Sequence, residues 1–177
     1  MKNKILVHIF GIVLVAIVQT GMLPTWPSPV DTLNLMLCVA TLVVIMHPAH
    51  IALLWALLGG ILLDVYSALP FGTITISLSV AVMVTRYLFQ NFLTTFSFYS
   101  VSALSIASSL SAGVVVAASE RILQDTATRA LEPSFWSAYI SFVFWQTILQ
   151  LIMMYVLVLI LHKITKSFSL RTIRPLG

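Results

Sequence analysis

Apolar residues in this chain run in long unbroken stretches rather than in alternation. The stretches cover residues 5–23, 32–46, 51–66, 71–89, 98–119 and 135–161. A bilayer's hydrocarbon core is about 30 Å thick and takes roughly 20 apolar residues per helix. Backbone polar groups in lipid must be satisfied within the segment or within a closed sheet. A closed barrel would read as alternating polarity over strands of about ten residues. Continuous runs predict helices instead: an all-α, polytopic bundle of six transmembrane helices, forming a single membrane domain over residues 1–177. The second and third stretches are the shortest, and they either both cross or form a tight hairpin that is tilted or partly buried.

The breaks between stretches carry their own signals. Pro24, Pro27 and Pro29 end the first helix, with Trp26 at interface depth. His47-Pro48-Ala49-His50 and Ser67-Ala68-Leu69-Pro70 read as tight turns. Pro133-Ser134 suits a helix start. Lys2 and Lys4 before an apolar run also suit a signal peptide, but Val18-Gln19-Thr20-Gly21-Met22 fits a cleavage site poorly, which predicts a retained span.

Composition agrees with this pattern. Hydrophobic residues make up 60% of the 177 and charged residues 8%, with a mean hydropathy of +1.07. Soluble domains carry roughly 25% charged residues. Six spans leave short loops and no room for a soluble catalytic domain. The one cysteine, Cys38, lies inside an apolar run and has no intrachain partner.

The net charge of +4 matters less than its placement. With the N-terminus in the cytoplasm, six spans return the C-terminus there. Lys2, Lys4, Arg86, Lys163, Lys166, Arg171 and Arg174 then share the cytoplasmic side. Arg121 and Arg129 face the other, with Asp31, Glu120, Asp125 and Glu132. Seven basic residues against two is a positive-inside bias and predicts cytoplasmic termini.

Asp64 is the acidic residue closest to a span interior, where an ionisable group is costly. It precedes a proline turn at the outer end of its span. It is expected to cap that turn or to pair with Arg121, with ion carriage or the shaping of a partner surface as alternatives. Ala52, Ala56, Gly60 and Asp64 recur every fourth residue and share one helix face. Small residues at that spacing admit a second helix at close range. Gly59 widens the notch, and Gly72 is expected to relieve crowding where the fourth span begins.

The fifth span is rich in serine, with Ser105, Ser109 and Gly113 on one small face and Ala103, Ala107 and Ser111 on another. Such a helix suits the centre of a bundle or a partner span, and a substrate-lined cavity is the sharper alternative. Gln146 and Gln150 share a face of the sixth span and suit interhelical hydrogen bonds. His47 and His50 lack a third metal ligand, and His8 suits an interfacial position. The polar loop from Glu120 to Glu132 suits a solvated helix extension or a protein contact. No nucleophile with a matching base, P-loop or dinucleotide fingerprint is present, and no internal repeat. The expectation is a chain that is not an enzyme, with no catalytic residue, cofactor, metal or nucleic-acid partner.

Gly59-Gly60-Ile61-Leu62-Leu63-Asp64 followed by Ser67-Ala68-Leu69-Pro70-Phe71-Gly72 resembles the central signature of the rod shape-determining protein MreD family. The size, the six spans, the short loops and the proline turn at His47-Pro48 resemble it too. The resemblance implies a scaffold subunit of the cell-wall elongation complex in the bacterial inner membrane, acting in cell shape. Its implied partners are MreC, the elongation transpeptidase and glycosyltransferase, and MreB. Gly59, Gly60, Asp64, Gly72 and Arg121 are the expected structural or partner-binding positions. The family also resembles in fold the substrate-binding subunits of energy-coupling-factor transporters, and the serine-rich fifth span keeps a vitamin-binding role as the second expectation.

Overall fold

The computed structural model describes residues 2–92, 98–123 and 133–167, and all their regular structure is helical. Six α-helices follow in order: α1 (Lys2–Gly21), α2 (Leu35–Met46), α3 (Ala49–Tyr66), α4 (Thr73–Asn91), α5 (Phe98–Leu123) and α6 (Pro133–Ser167). Two short 3₁₀ turns, Leu23–Thr25 and Val30–Thr32, lie between α1 and α2. The breaks fall where the sequence placed them. Pro24 sits in the first 3₁₀ turn, Pro48 precedes α3, and Pro133 opens α6. The polar connection expected at 120–132 lies outside the described residues from 124 onward, as does the basic tail beyond 167.

Five helical segments are long and apolar enough to cross a bilayer: Leu6–Thr25, Ala49–Tyr66, Thr73–Asn91, Tyr99–Ser119 and Tyr139–Ile160. This places the chain among helical membrane proteins. The exception is α2. It has 12 residues, a length of about 18 Å at 1.5 Å per residue, against a hydrocarbon core of about 30 Å. The stretch expected as a span over 32–46 loses its start to the second 3₁₀ turn and to Asn34, which caps α2.

The short helix is the centre of the molecule. It touches α1, α3, α4, α5 and α6. Met36, Leu37, Cys38, Ala40 and Val44 are wholly inaccessible. The long helices surround it and turn large apolar side chains outward, Phe10 and Leu14 from α1 and Phe144 and Ile152 from α6 among them. In lipid these outer side chains meet hydrocarbon, so their exposure carries no hydrophobic penalty. The bundle is held by close packing and buried polar contacts.

Candidate functional site

The α3–α4 junction is built from the residues the sequence singled out. Ala52, Ala56, Gly60 and Asp64 form a buried face on α3, as their spacing predicts. A Cβ added at Gly60 would lie 2.5 Å from the Cα of Thr75, a backbone atom of α4. Gly59 faces α2, where its Cβ would lie 2.6 Å from the Met36 sulfur. The two adjacent glycines thus admit two different helices to α3.

One turn beyond Gly60, Asp64 closes the junction. It is 3% exposed. Its Oδ1 accepts from the Ile74 N–H at 2.9 Å, and its Oδ2 accepts from the Thr75 N–H at 3.0 Å and from the Thr75 hydroxyl. A helix leaves its first four N–H groups without intrahelical partners. In α4 the three that follow the N-cap are satisfied: Thr73 donates to the Pro70 carbonyl and Ile74 and Thr75 donate to Asp64, while Ile76 makes the first intrahelical bond, to the Gly72 carbonyl. The residue at the N-cap is Gly72, which has no side chain to offer. Asp64 therefore supplies from the preceding helix the acceptor that a local cap residue would supply, and its negative charge faces the positive end of the α4 dipole.

Gly72 has φ +97°, and a Cβ there would meet nothing within 4 Å. The expectation that it relieves crowding is corrected: its role is conformational, since the turn needs a left-handed residue. The capping alternative for Asp64 is realised. Arg121 falls in the last part of α5, and its side chain lies outside the described residues.

The ends of α2 are served by its own N-cap, Asn34, and by side chains from two other helices. Asn34 Oδ1 accepts from the Leu37 N–H at 3.0 Å, and Gln19 Oε1, from α1, accepts from the Met36 N–H at 2.7 Å. Gln19 Nε2 also donates to Asn34 Oδ1. At the far end Arg86, from α4, donates through Nη1 to the carbonyls of Val44 at 3.1 Å and His47 at 3.4 Å. An uncapped 18 Å helix would strand polar groups in the apolar layer, and these side chains prevent it. Asn34 directly before an apolar run was the legible signal for this cap. Gln19 and Arg86 have no such signal, because their partners are distant in sequence. Gln19→Leu is expected to cost roughly 1–2 kcal/mol and to raise hydrogen exchange at the start of α2. Unchanged protection there would remove Gln19 from the cap.

Near Arg86 lies an aromatic cluster. His8 Nδ1 accepts from Trp55 Nε1 at 3.2 Å, and the His8 and His47 rings meet edge to face at 5.1 Å. His47 Nδ1 is buried without a hydrogen-bond partner. His50 is exposed, so the two histidines of the turn do not converge. Among the described residues no three His, Cys, Asp or Glu side chains form a metal set. Desolvation, and then the neighbouring His8, lower the His47 pKa below its ordinary 6.5. The unfolded chain therefore takes the proton first. Stability from neutral His47 is complete above pH 6.5 and is lost as pH falls through the lower folded-state value. Among the described residues, His8 of α1 meets the His47 ring and Arg86 of α4 donates to the His47 carbonyl. Thermal unfolding in detergent is expected to fall off below pH 6.5, and His47→Asn should flatten that dependence. An equal fall in both proteins would assign it elsewhere.

On α5 the serines are engaged with neighbouring helices or with their own backbone. Ser108 accepts from Gln150 Nε2 at 2.8 Å, Ser109 meets Thr147 at 2.9 Å, and Ser105 bonds to the Val101 carbonyl. Ser77 of α4 donates to the Ala112 carbonyl, and Gly113 sits against Tyr139 and Val143. The expected hydrogen bonding of Gln150 is present. The face bearing Ala103, Ala107 and Ser111 is more open than the one bearing Ser105 and Ser109.

This arrangement fixes helices. Both oxygens of Asp64 are engaged by α4, so the carboxylate acts as a clasp at the notch made by Gly59 and Gly60. Comparison with known proteins finds no matching family model, curated protein or solved structure.

Proposed function

We propose that this chain is a non-enzymatic scaffold subunit of the bacterial cell-wall elongation complex, seated in the inner membrane and acting in cell shape. The observation that carries the reading is the α3–α4 junction. The glycines and the aspartate by which the sequence resembles the MreD family are the residues that clasp α3 to α4 and seat α2. A scaffold needs a bundle whose shape is fixed in lipid while its outer helices stay free for single-span partners. MreC, the elongation transpeptidase and glycosyltransferase, and MreB are the partners this reading implies.

The second reading, a vitamin-binding subunit of an energy-coupling-factor transporter, draws on the serines of α5. Their engagement with α6 and with helix carbonyls favours the scaffold. Purification in mild detergent followed by mass spectrometry separates the two. Co-purifying wall-synthesis proteins support the scaffold. A bound vitamin with nucleotide-binding partners supports the transporter and overturns it.

In this reading all six helices traverse the membrane, α2 as a short buried crossing, and both termini are cytoplasmic. The motive is the seven basic residues on that side against two. A C-terminal fluorescent-protein fusion is expected to be bright and an alkaline phosphatase fusion inactive. The opposite pair of results would reverse the topology.

A further inference from the structure

Between α3 and α4, at the end away from Asp64, lies a groove with a cavity of about 200 Å³. Leu53, Val82 and Met83 line its apolar length, and Arg86, Tyr87 and Gln90 form its rim. The Arg86 guanidinium is half-buried, and the groups it meets are neutral. Nη1 donates to the Val44 and His47 carbonyls, and the Gln90 amide, in the orientation that its contacts with Nε and Nη2 require, turns its oxygen to both at 3.2 Å. The carboxylates whose side chains are described are Asp31 and Asp64. Asp64 binds α4 at Thr75, eleven residues before Arg86, about 17 Å along the helix. Asp31 shares a second cavity with Ser67 and Ile74, at the Asp64 end. Among the described residues, then, no carboxylate meets Arg86 at the mouth of this apolar groove, where a cation is costly without a counter-charge.

We propose that this groove binds an anionic phospholipid, with its phosphate on Arg86 and an acyl chain along Leu53, Val82 and Met83. The guanidinium fork matches a phosphate bidentately. Gln90 is exposed and can swing aside to free Nε and Nη2, while Nη1 keeps its bonds to the end of α2. A zwitterionic lipid brings its own ammonium to the same place and gains less. The lipid thereby supplies a counter-charge that Arg86 does not find among the described residues, and it ties α4 to α2 and α3 through one arginine.

The test keeps Arg86, because its loss would also uncap α2. Gln90→Glu places a resident carboxylate against the guanidinium at an exposed position. Tyr87→Glu, at a site 62% exposed, brings the same charge to the rim by another route. The full chain, stripped of lipid in mild detergent, is titrated with phosphatidylglycerol or phosphatidylcholine and read by native mass spectrometry. The unmodified protein is expected to retain one phosphatidylglycerol with a preference of roughly five-fold or more over phosphatidylcholine. Both variants should lose that preference while unfolding at the original temperature. Met83→Trp should fill the groove and lower retention of both lipids. Equal retention of the two lipids by the unmodified protein overturns the proposal. So does a preference that survives both carboxylate variants, which would place it on other basic residues such as Lys163. Displacement of the lipid by inorganic phosphate would assign the rim to a soluble anion and also overturns it.

Discussion

Gly60→Leu is expected to abolish the folded bundle, while Leu57→Ala leaves it intact. The Cβ alone would stand 2.5 Å from the Thr75 Cα and 3.0 Å from its hydroxyl oxygen. The obstacle is the backbone of a neighbouring helix, which cannot rotate aside. To clear it, α4 must retreat by about 1 Å. That retreat stretches the hydrogen bonds from Ile74 and Thr75 to Asp64, which lies one turn further along the same face. Overpacking a close interface costs about 1–3 kcal/mol for modest additions. Gly60→Ala should already reach the top of that range, and leucine should exceed it. Gly59→Ala is expected to be milder, because its obstacle is the flexible thioether of Met36. Leu57 is 47% exposed on the outer surface, where lipid replaces the lost contacts. The yield of monodisperse protein in detergent and its thermal unfolding are the readouts. Wild-type behaviour of Gly60→Leu would refute the close approach of α3 and α4.

Asp64→Ala should lower stability by about 3 kcal/mol. It leaves the amides of Ile74 and Thr75 and the Thr75 hydroxyl without their acceptor. Loss of a helix cap costs about 1 kcal/mol, and hydrogen bonds to a charged group contribute roughly 1.5–3 kcal/mol. These terms overlap, because one carboxylate serves them all. Asp64→Asn keeps one oxygen but turns an NH₂ toward a donor, so it should fall between. Exchanging Asp64 and Arg121 should not restore stability, since an arginine at 64 offers α4 no acceptor. Rescue by that exchange would show that ion pairing outweighs capping. Unfolding of Asp64→Ala at the wild-type temperature would show that α4 does not depend on the clasp. In either test the protein can be held in lipid nanodiscs, with limited proteolysis in the turn at residues 67–72 as a second readout.

Much of this was legible in the residues, for identifiable reasons. Continuous apolar runs mark helices in lipid because hydrocarbon offers the backbone no partner. Proline marks helix ends because it lacks an N–H and excludes helical geometry from the residue before it. The four-residue spacing of Ala52, Ala56, Gly60 and Asp64 places them on one face whatever that face meets. These local rules determined the helical class, the breaks, the notch on α3 and the presence of a costly carboxylate beside it.

Which helix fills each notch was a tertiary decision. Gly59 and Gly60 are neighbours in sequence, yet one receives Met36 and the other Thr75, because adjacent residues on a helix point about 100° apart. Gln19, Arg86 and Asp64 each serve an end of another helix, and their roles depend on three-dimensional approach rather than on spacing. The same holds for α2. Its composition alone resembles a membrane span, but it is too short to shield its own ends from the apolar layer. The five surrounding helices bury its sides, and Gln19, Arg86 and its own Asn34 supply partners to its terminal N–H and C=O groups, which makes that length tolerable.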